Sequence, residues 1–307
     1  MNWLLISIVA YLLISLQVIL DKFLLSSKKV SHPAIYAFYS GVLSVFTFVF
    51  FPFGFHSISV SQGVFSVISG MVFIYGMLVL FYAINKSEAS RVTPVVGAIV
   101  PVVTYFLSIF LLKEHLSAVQ FFGAIVLIIG GIAISFNLPF QKDRKFFSGL
   151  FPSIIAGILL AGAFTLFKDF YEKDNFLNVF IWTRFGLVAG ALSLLAFPPW
   201  RKAILASISK FRKPERDNAR SGTLFVLNKA MGGAGSFLVN YAISLGSVTL
   251  VNALVSIEYV FILIWGAAFS HWVPGVFNEK RDMKSITQKI VSIIIITLGL
   301  FLISRSK

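Results

Sequence analysis

Residues 117–136 read SAVQFFGAIVLIIGGIAISF, twenty residues without a charged side chain. As an α-helix rising 1.5 Å per residue this run is ~30 Å long, the thickness of a bilayer's hydrocarbon core. Nine further runs of this kind can be fitted, at 3–24, 33–53, 63–85, 90–112, 149–167, 177–198, 222–244, 247–270 and 286–304, and together they use up nearly the whole chain. Of the 307 residues 58% are hydrophobic and 12% charged, with a mean hydropathy of +0.90. Water-soluble domains are about 25% charged. The expected fold class is therefore an all-α membrane protein with ten transmembrane helices.

The connections are short apart from 201–220 and 271–285, and none is long enough for a soluble domain. Twenty-six Lys and Arg against 12 Asp and Glu give a net charge of +14. In a soluble chain that balance would suggest nucleic acid. Here the bases sit between apolar runs, where they orient helices and touch anionic lipid, with no basic face or aromatic platform beside them. The expected partner is the lipid bilayer and not nucleic acid. Cys is absent, which removes disulfides, thiol nucleophiles and thiolate metal sites. Met1-Asn2-Trp3 and the apolar residues up to Leu20 show no basic leader and no small-residue cleavage site, so they read as a retained first helix.

The chain also repeats itself. Tyr82-Ala83-Ile84 returns as Tyr241-Ala242-Ile243, and at the same offset Ser90 meets Thr249, Val92 meets Val251 and Val96 meets Val255. Residues 129–135 align with 298–304 once the 271–285 connection absorbs about ten extra residues. The expected organisation is a first repeat over 1–136, a linker over 137–148 and a second repeat over 149–307. Each copy holds five helices. Five is odd, so the second copy enters the membrane inverted, an arrangement that suits alternating access about a shared site.

The stretch Glu88-Ala89-Ser90-Arg91-Val92-Thr93-Pro94, then Pro101, then Leu111-Leu112-Lys113-Glu114-His115-Leu116-Ser117, with Gln120 and Gly123, resembles the EamA domain, the repeat unit of the drug/metabolite transporter superfamily. The second copy departs from it, with Tyr259 or Val260 where a counterpart of Pro101 would fall. The resemblance implies a ten-helix secondary transporter with a central cavity for a small-molecule substrate. The superfamily moves amino acids, nucleotide sugars, phosphorylated sugars and drugs, so the substrate stays open.

Nineteen of the 26 bases lie in the odd-numbered connections or at the run ends beside them, and five in the even ones and termini. The positive-inside rule places the odd connections in the cytoplasm and both termini outside. The expected location is the plasma (inner) membrane of a bacterium, as a monomer or homodimer. Impermeant labelling of Ser306→Cys, in a chain with no native Cys, should succeed on intact cells. Labelling only after permeabilisation would invert the assignment.

Ionisable residues inside spans are costly and tend to be functional. Glu258 is the acid well inside a run, and Lys229 and Arg184 are the bases. Glu258 is expected to carry the coupling proton, the alternative being a structural ion pair with Lys229. Lys229 pairs with Glu258 or binds an anionic substrate. Arg184 serves the pathway or snorkels to the headgroups. Tyr82 and Tyr241, symmetric in the repeat, join Gln17, Asn228 and Asn252 as candidate cavity residues, against the alternative of plain interhelical hydrogen bonding. Pro94 and Pro101 remove backbone hydrogen bonds from one side of the fourth run, giving a static kink or a bend that moves during switching. Gly232, Gly233 and Gly235 read as close-packing positions. The four His residues are not grouped, no hydrolase, zinc-protease or Walker motif occurs, and no cofactor or metal is expected.

The function read from the sequence is thus proton-coupled export or exchange of a small polar metabolite such as an amino acid, and not catalysis. A lipid-carrier flippase or a non-transporting scaffold are the alternatives.

Overall fold

The computed structural model describes residues 2–25, 32–87, 89–135, 144–211, 219–269 and 283–305. Among these residues every regular element is helical. In chain order the α-helices are α1 (Asn2–Leu25), α2 (Pro33–Val42), α3 (Phe51–Gly54), α4 (Val60–Lys86), α5 (Ala89–Leu107), α6 (Ala118–Ser135), α7 (Arg144–Tyr171), α8 (Phe176–Ser193), α9 (Pro198–Phe211), α10 (Ala219–Leu245), α11 (Val248–Ala253), α12 (Val255–Phe269) and α13 (Met283–Arg305). Nine stretches of the described residues are long and apolar enough to cross a bilayer, and they coincide with nine of the ten expected runs. The chain is an all-α membrane protein. The remaining run, 222–244, lies in α10, whose 27 residues are long enough to span at ~40 Å. Its apolar character is diluted by Asn228, Lys229, Asn240 and three glycines.

Local chemistry sets the helix starts. Ser59 and Gln62 form a reciprocal capping box before α4. Asn175 accepts from the Asn178 N–H at 2.9 Å before α8, and His32 Nδ1 accepts from Ala34 N–H ahead of Pro33, which occupies the first turn of α2.

Three regions depart from the even helices expected. Between α2 and α3 the chain tightens into a 3₁₀ segment over Leu43–Phe50. There Ser44 Oγ donates to the Gly41 carbonyl at 2.5 Å and Thr47 Oγ1 to the Ser44 carbonyl at 2.6 Å, three-residue back-bonds that favour the tighter turn. Pro52 also has no N–H for the Phe48 carbonyl, which accepts from Phe51 instead. Beyond α5, Ser108–Leu112 widens into a π turn that stops at Lys113, φ 53°, where the Glu114 N–H closes on the Ser108 carbonyl at 3.2 Å. Finally, the basic connection after the seventh run begins with a helix, α9. Pro198 and Pro199 fit its first turn, Arg201 and Lys202 are exposed, and Ile204 is fully buried. Basic and apolar faces of this kind suit a helix lying in a membrane interface.

The described contacts group the chain into two compact units, one of 1–30, 115–142 and 215–307, the other of 31–114 and 143–214. In the first unit α10 packs on α1, α1 on α12, α12 on α6 and α6 on α13. In the second, α5 packs on α7, α7 on α4, and α4 on α8 and α2, with α9 against α2. Its core joins Val92, Val96 and Val100 of α5 to Ala156, Leu160 and Ala161 of α7 and Ala83 of α4. At the α4–α8 crossing the backbones touch. A Cβ on Gly186 would lie 2.6 Å from the Val67 carbonyl oxygen, and one on Gly70 would lie 2.5 Å from that of Thr183. At one end of this unit Asp174 accepts from Asn178 Nδ2 at 2.6 Å and sits 3.1 Å from His56 Nε2, while Trp182 Nε1 donates to the His56 carbonyl at 3.1 Å. These contacts pin the 55–59 connection to the start of α8.

Candidate functional site

The ninth expected run is a broken helix. α11 and α12 are two pieces of one span, Val248–Ala268, and the ladder fails at Leu254. The Leu254 N–H still makes its helical bond to the Leu250 carbonyl at 3.1 Å, and just beyond it the Ile257 N–H closes a short turn on the Leu254 carbonyl at 2.9 Å. No Pro or Gly lies between 248 and 258, so the cause is a side chain inserted into the ladder. Tyr11 of α1, 5% exposed, donates its hydroxyl to the Val251 carbonyl at 2.9 Å. A continuous helix would offer that carbonyl to residue 255.

Glu258 follows one turn after the break and is 8% exposed. Ten residues from Val248, it lies ~15 Å along the helix, the middle of a ~30 Å hydrocarbon core. The phenols of Tyr11 and Tyr259 are both within electrostatic range of its carboxyl group. Before the break Asn252 is buried, and its Nδ2 has no hydrogen-bond partner among the described residues. Hydrogen bonds also tie α12 to its neighbours. Ser256 Oγ donates to the Leu127 carbonyl at 2.6 Å, and Trp265 Nε1 donates to Ser15 Oγ at 3.2 Å. A buried acid, an amide and two phenols around an interrupted helix are groups that can hold a proton.

The other expected site residues fall into two groups. In the same unit Asn228 is buried on α10 and the Gln17 side chain lies against Gly232. Lys229 occupies the next position on α10, but its side chain, and with it the expected pairing to Glu258, lies outside the described residues. Gly232 and Gly235 face α1 closely as expected, whereas Gly233 has open space beside it. Tyr241 is 36% exposed. In the other unit Tyr82 is 45% exposed, with Lys86 Nζ 4.9 Å from its ring centre. Pro94 and Pro101 are both buried inside an unbroken α5, and the Thr104 hydroxyl donates to the Val100 carbonyl beside them. Arg184 does not snorkel. It is 4% exposed, with its guanidinium 4.0 Å above the centre of the Phe180 ring.

Tyr11 is the residue that sequence reading missed. Its signal was a phenol near the middle of the largely apolar first run, a group that needs a hydrogen-bond partner in lipid. Tyr11→Phe should lower resistance to unfolding by about 1 kcal/mol, the usual worth of such a bond. Unfolding by denaturing detergent measures it, and an unchanged midpoint would remove Tyr11 as the cause of the break.

Residues 1–136 match the EamA-like transporter family. A 73-residue stretch is 40% identical to the uncharacterized protein MJ1333.1 of Methanocaldococcus jannaschii, covering 24% of this chain and 53% of that protein, so the chain spans about half the length of this relative. A crystal structure of another protein, 16% identical, superposes over 98% of this chain and 95% of its own with a TM-score of 0.65. That likeness concerns the fold.

Proposed function

We propose, from residues 1–136 belonging to the EamA-like transporter family, that the whole chain is a secondary active transporter that couples proton movement to export or exchange of a small polar metabolite such as an amino acid. The observation that carries this reading is the broken span beside Glu258. An acid buried at mid-span next to an interrupted helix is the arrangement by which a carrier binds a proton and a polar solute together.

The inverted repeat belongs to the proposal, with 1–136 and 149–307 as the two copies. Two features support it. The repeat offset that pairs Tyr82 with Tyr241 pairs Val95 with Leu254, so Pro94 of α5 and the α11–α12 break fall at neighbouring repeat positions. The packing pattern also recurs. In one unit the first helix of the first half, α1, packs on α10 and α12; in the other the first helix of the second half, α7, packs on α4 and α5. These are corresponding helices under the repeat. The odd connections, rich in Lys and Arg, face the cytoplasm in this reading.

The experiment is a thermal-shift screen of purified protein against amino acids, nucleotide sugars and lipid phosphates, since a bound ligand raises apparent stability by mass action. Hits then go into proteoliposomes with an imposed pH gradient. Accumulation that needs the gradient supports the proposal. Binding with no gradient-dependent transport overturns the coupling.

A further inference from the structure

Arg184 is a buried charge that the packing described above does not account for. It stands eight residues into the span Phe176–Ala196, ~12 Å from its start, and is 4% exposed. Phe180 backs one face of the guanidinium at 4.0 Å, a favourable but nondirectional contact. Its Nη2 is buried and has no hydrogen-bond partner among the described residues. Nor does any carboxylate form an ion pair with it among those residues. Three acids just before α8 are otherwise engaged: Asp169 holds Lys173 at 2.5 Å, Glu172 holds Lys168 at 3.3 Å, and Asp174 takes His56 and Asn178. A titratable group within electrostatic range of Arg184 is the phenol of Tyr171, which carries no compensating charge at neutral pH.

A guanidinium held inside a membrane span with no counter-charge among the described residues is expensive, and burial is tolerated when an anion completes it. The flat fork of Arg matches a planar oxyanion through two parallel N–H bonds. The charge balance selects among oxyanions. Lys168, the other buried base described in this unit, is already paired with Glu172, so the site offers a single positive charge. One negative charge neutralises it; a phosphate monoester with nearly two would leave an excess in low dielectric.

We infer that Arg184, with Phe180 behind it and the Tyr171 phenol nearby, is a binding site for the carboxylate of a monoanionic or zwitterionic small molecule. This rests on the transporter reading and narrows its substrate class to carboxylates.

The test uses purified full-length protein and thermal shift at constant ionic strength. The probes are acetate, lactate and alanine, each against its primary amide, with inorganic phosphate and chloride alongside. Carboxylates should raise the midpoint and their amides should not. Arg184→Gln should weaken the carboxylate response at least tenfold in apparent affinity. Arg184→Lys should fall between, keeping the charge but losing the fork. Equal protection by the amides, stronger protection by phosphate, or an undiminished response in Arg184→Gln would each overturn the site. The comparison of acids with amides on the unaltered protein decides the matter even where Arg184→Gln does not fold. Failure here is separable from failure of the transporter reading: pH-driven uptake of a solute without a carboxylate would sink the site alone, and carboxylate binding through Arg184 without transport would sink the transporter reading alone.

Discussion

Glu258→Gln should fold, keep downhill exchange of substrate, and lose accumulation against a gradient by at least an order of magnitude. The amide is nearly isosteric with the acid and can still meet the phenols of Tyr11 and Tyr259, so the α11–α12 break stays in place. What disappears is the mid-span carboxylate to which the proposal gives the coupling proton. Exchange requires only that the loaded carrier alternate; accumulation requires proton movement linked to that alternation. The measurement is counterflow beside pH-driven uptake in the same proteoliposomes. Equal loss of both would make Glu258 structural or substrate-binding, and retention of both would remove it from the mechanism.

The second large effect is expected at the α4–α8 crossing. In Gly186→Ala the new methyl carbon would lie 2.6 and 2.7 Å from the carbonyl oxygens of Val67 and Ser66, and 2.9 Å from Val67 Cα. These are backbone atoms, and neither helix can yield locally. Overpacking of this kind costs about 1–3 kcal/mol or more, and here it separates two helices whose close approach depends on small residues. Folded yield and detergent-unfolding midpoint should both fall sharply. Gly162→Ala is the matched control, because nothing lies within 4 Å of the added carbon. Equal behaviour of the two variants would show that the crossing is looser than described.

How far the sequence could be read follows from which forces were local. Run length and hydropathy located the spans because lipid forces each crossing segment to satisfy its own backbone, which only a helix does within one segment. The same logic could not see where a span is interrupted. The break at Leu254 comes from Tyr11, 240 residues away in sequence, and no local signal at 248–258 announces it. The 3₁₀ segment after α2 was more accessible: Gly41, Ser44, Thr47 and Pro52 are all local, though their combined effect is lost in a hydropathy average. α9 was hidden by its charges, since Arg201 and Lys202 made the whole stretch read as a connection.

The candidate site divides the same way. Glu258 and Arg184 were legible because charge inside an apolar run is costly wherever it sits. The fate of Arg184 was not, because a base two turns from a helix end can snorkel or be buried depending on its neighbours. In the fold it is buried, with the Phe180 ring, one turn away, 4.0 Å from its guanidinium. The glycines of α10 show the limit of composition: three neighbouring small residues looked equivalent, yet Gly232 and Gly235 meet α1 and Gly233 does not.

The central claim is that Glu258 moves the coupling proton, and proton flux itself tests it most directly. Vesicles carrying a pH-sensitive dye, loaded with the protein and given the substrate found in the thermal-shift screen, should show a proton signal that rises and saturates with substrate. The decisive comparison is the double variant Lys229→Met with Glu258→Gln. Neutralising both groups removes each candidate charge of this unit at once, so the result does not depend on whether the two pair, and the fold should be kept. The account predicts a folded protein that still exchanges substrate and gives no substrate-dependent proton signal. A full proton signal from that variant would contradict it.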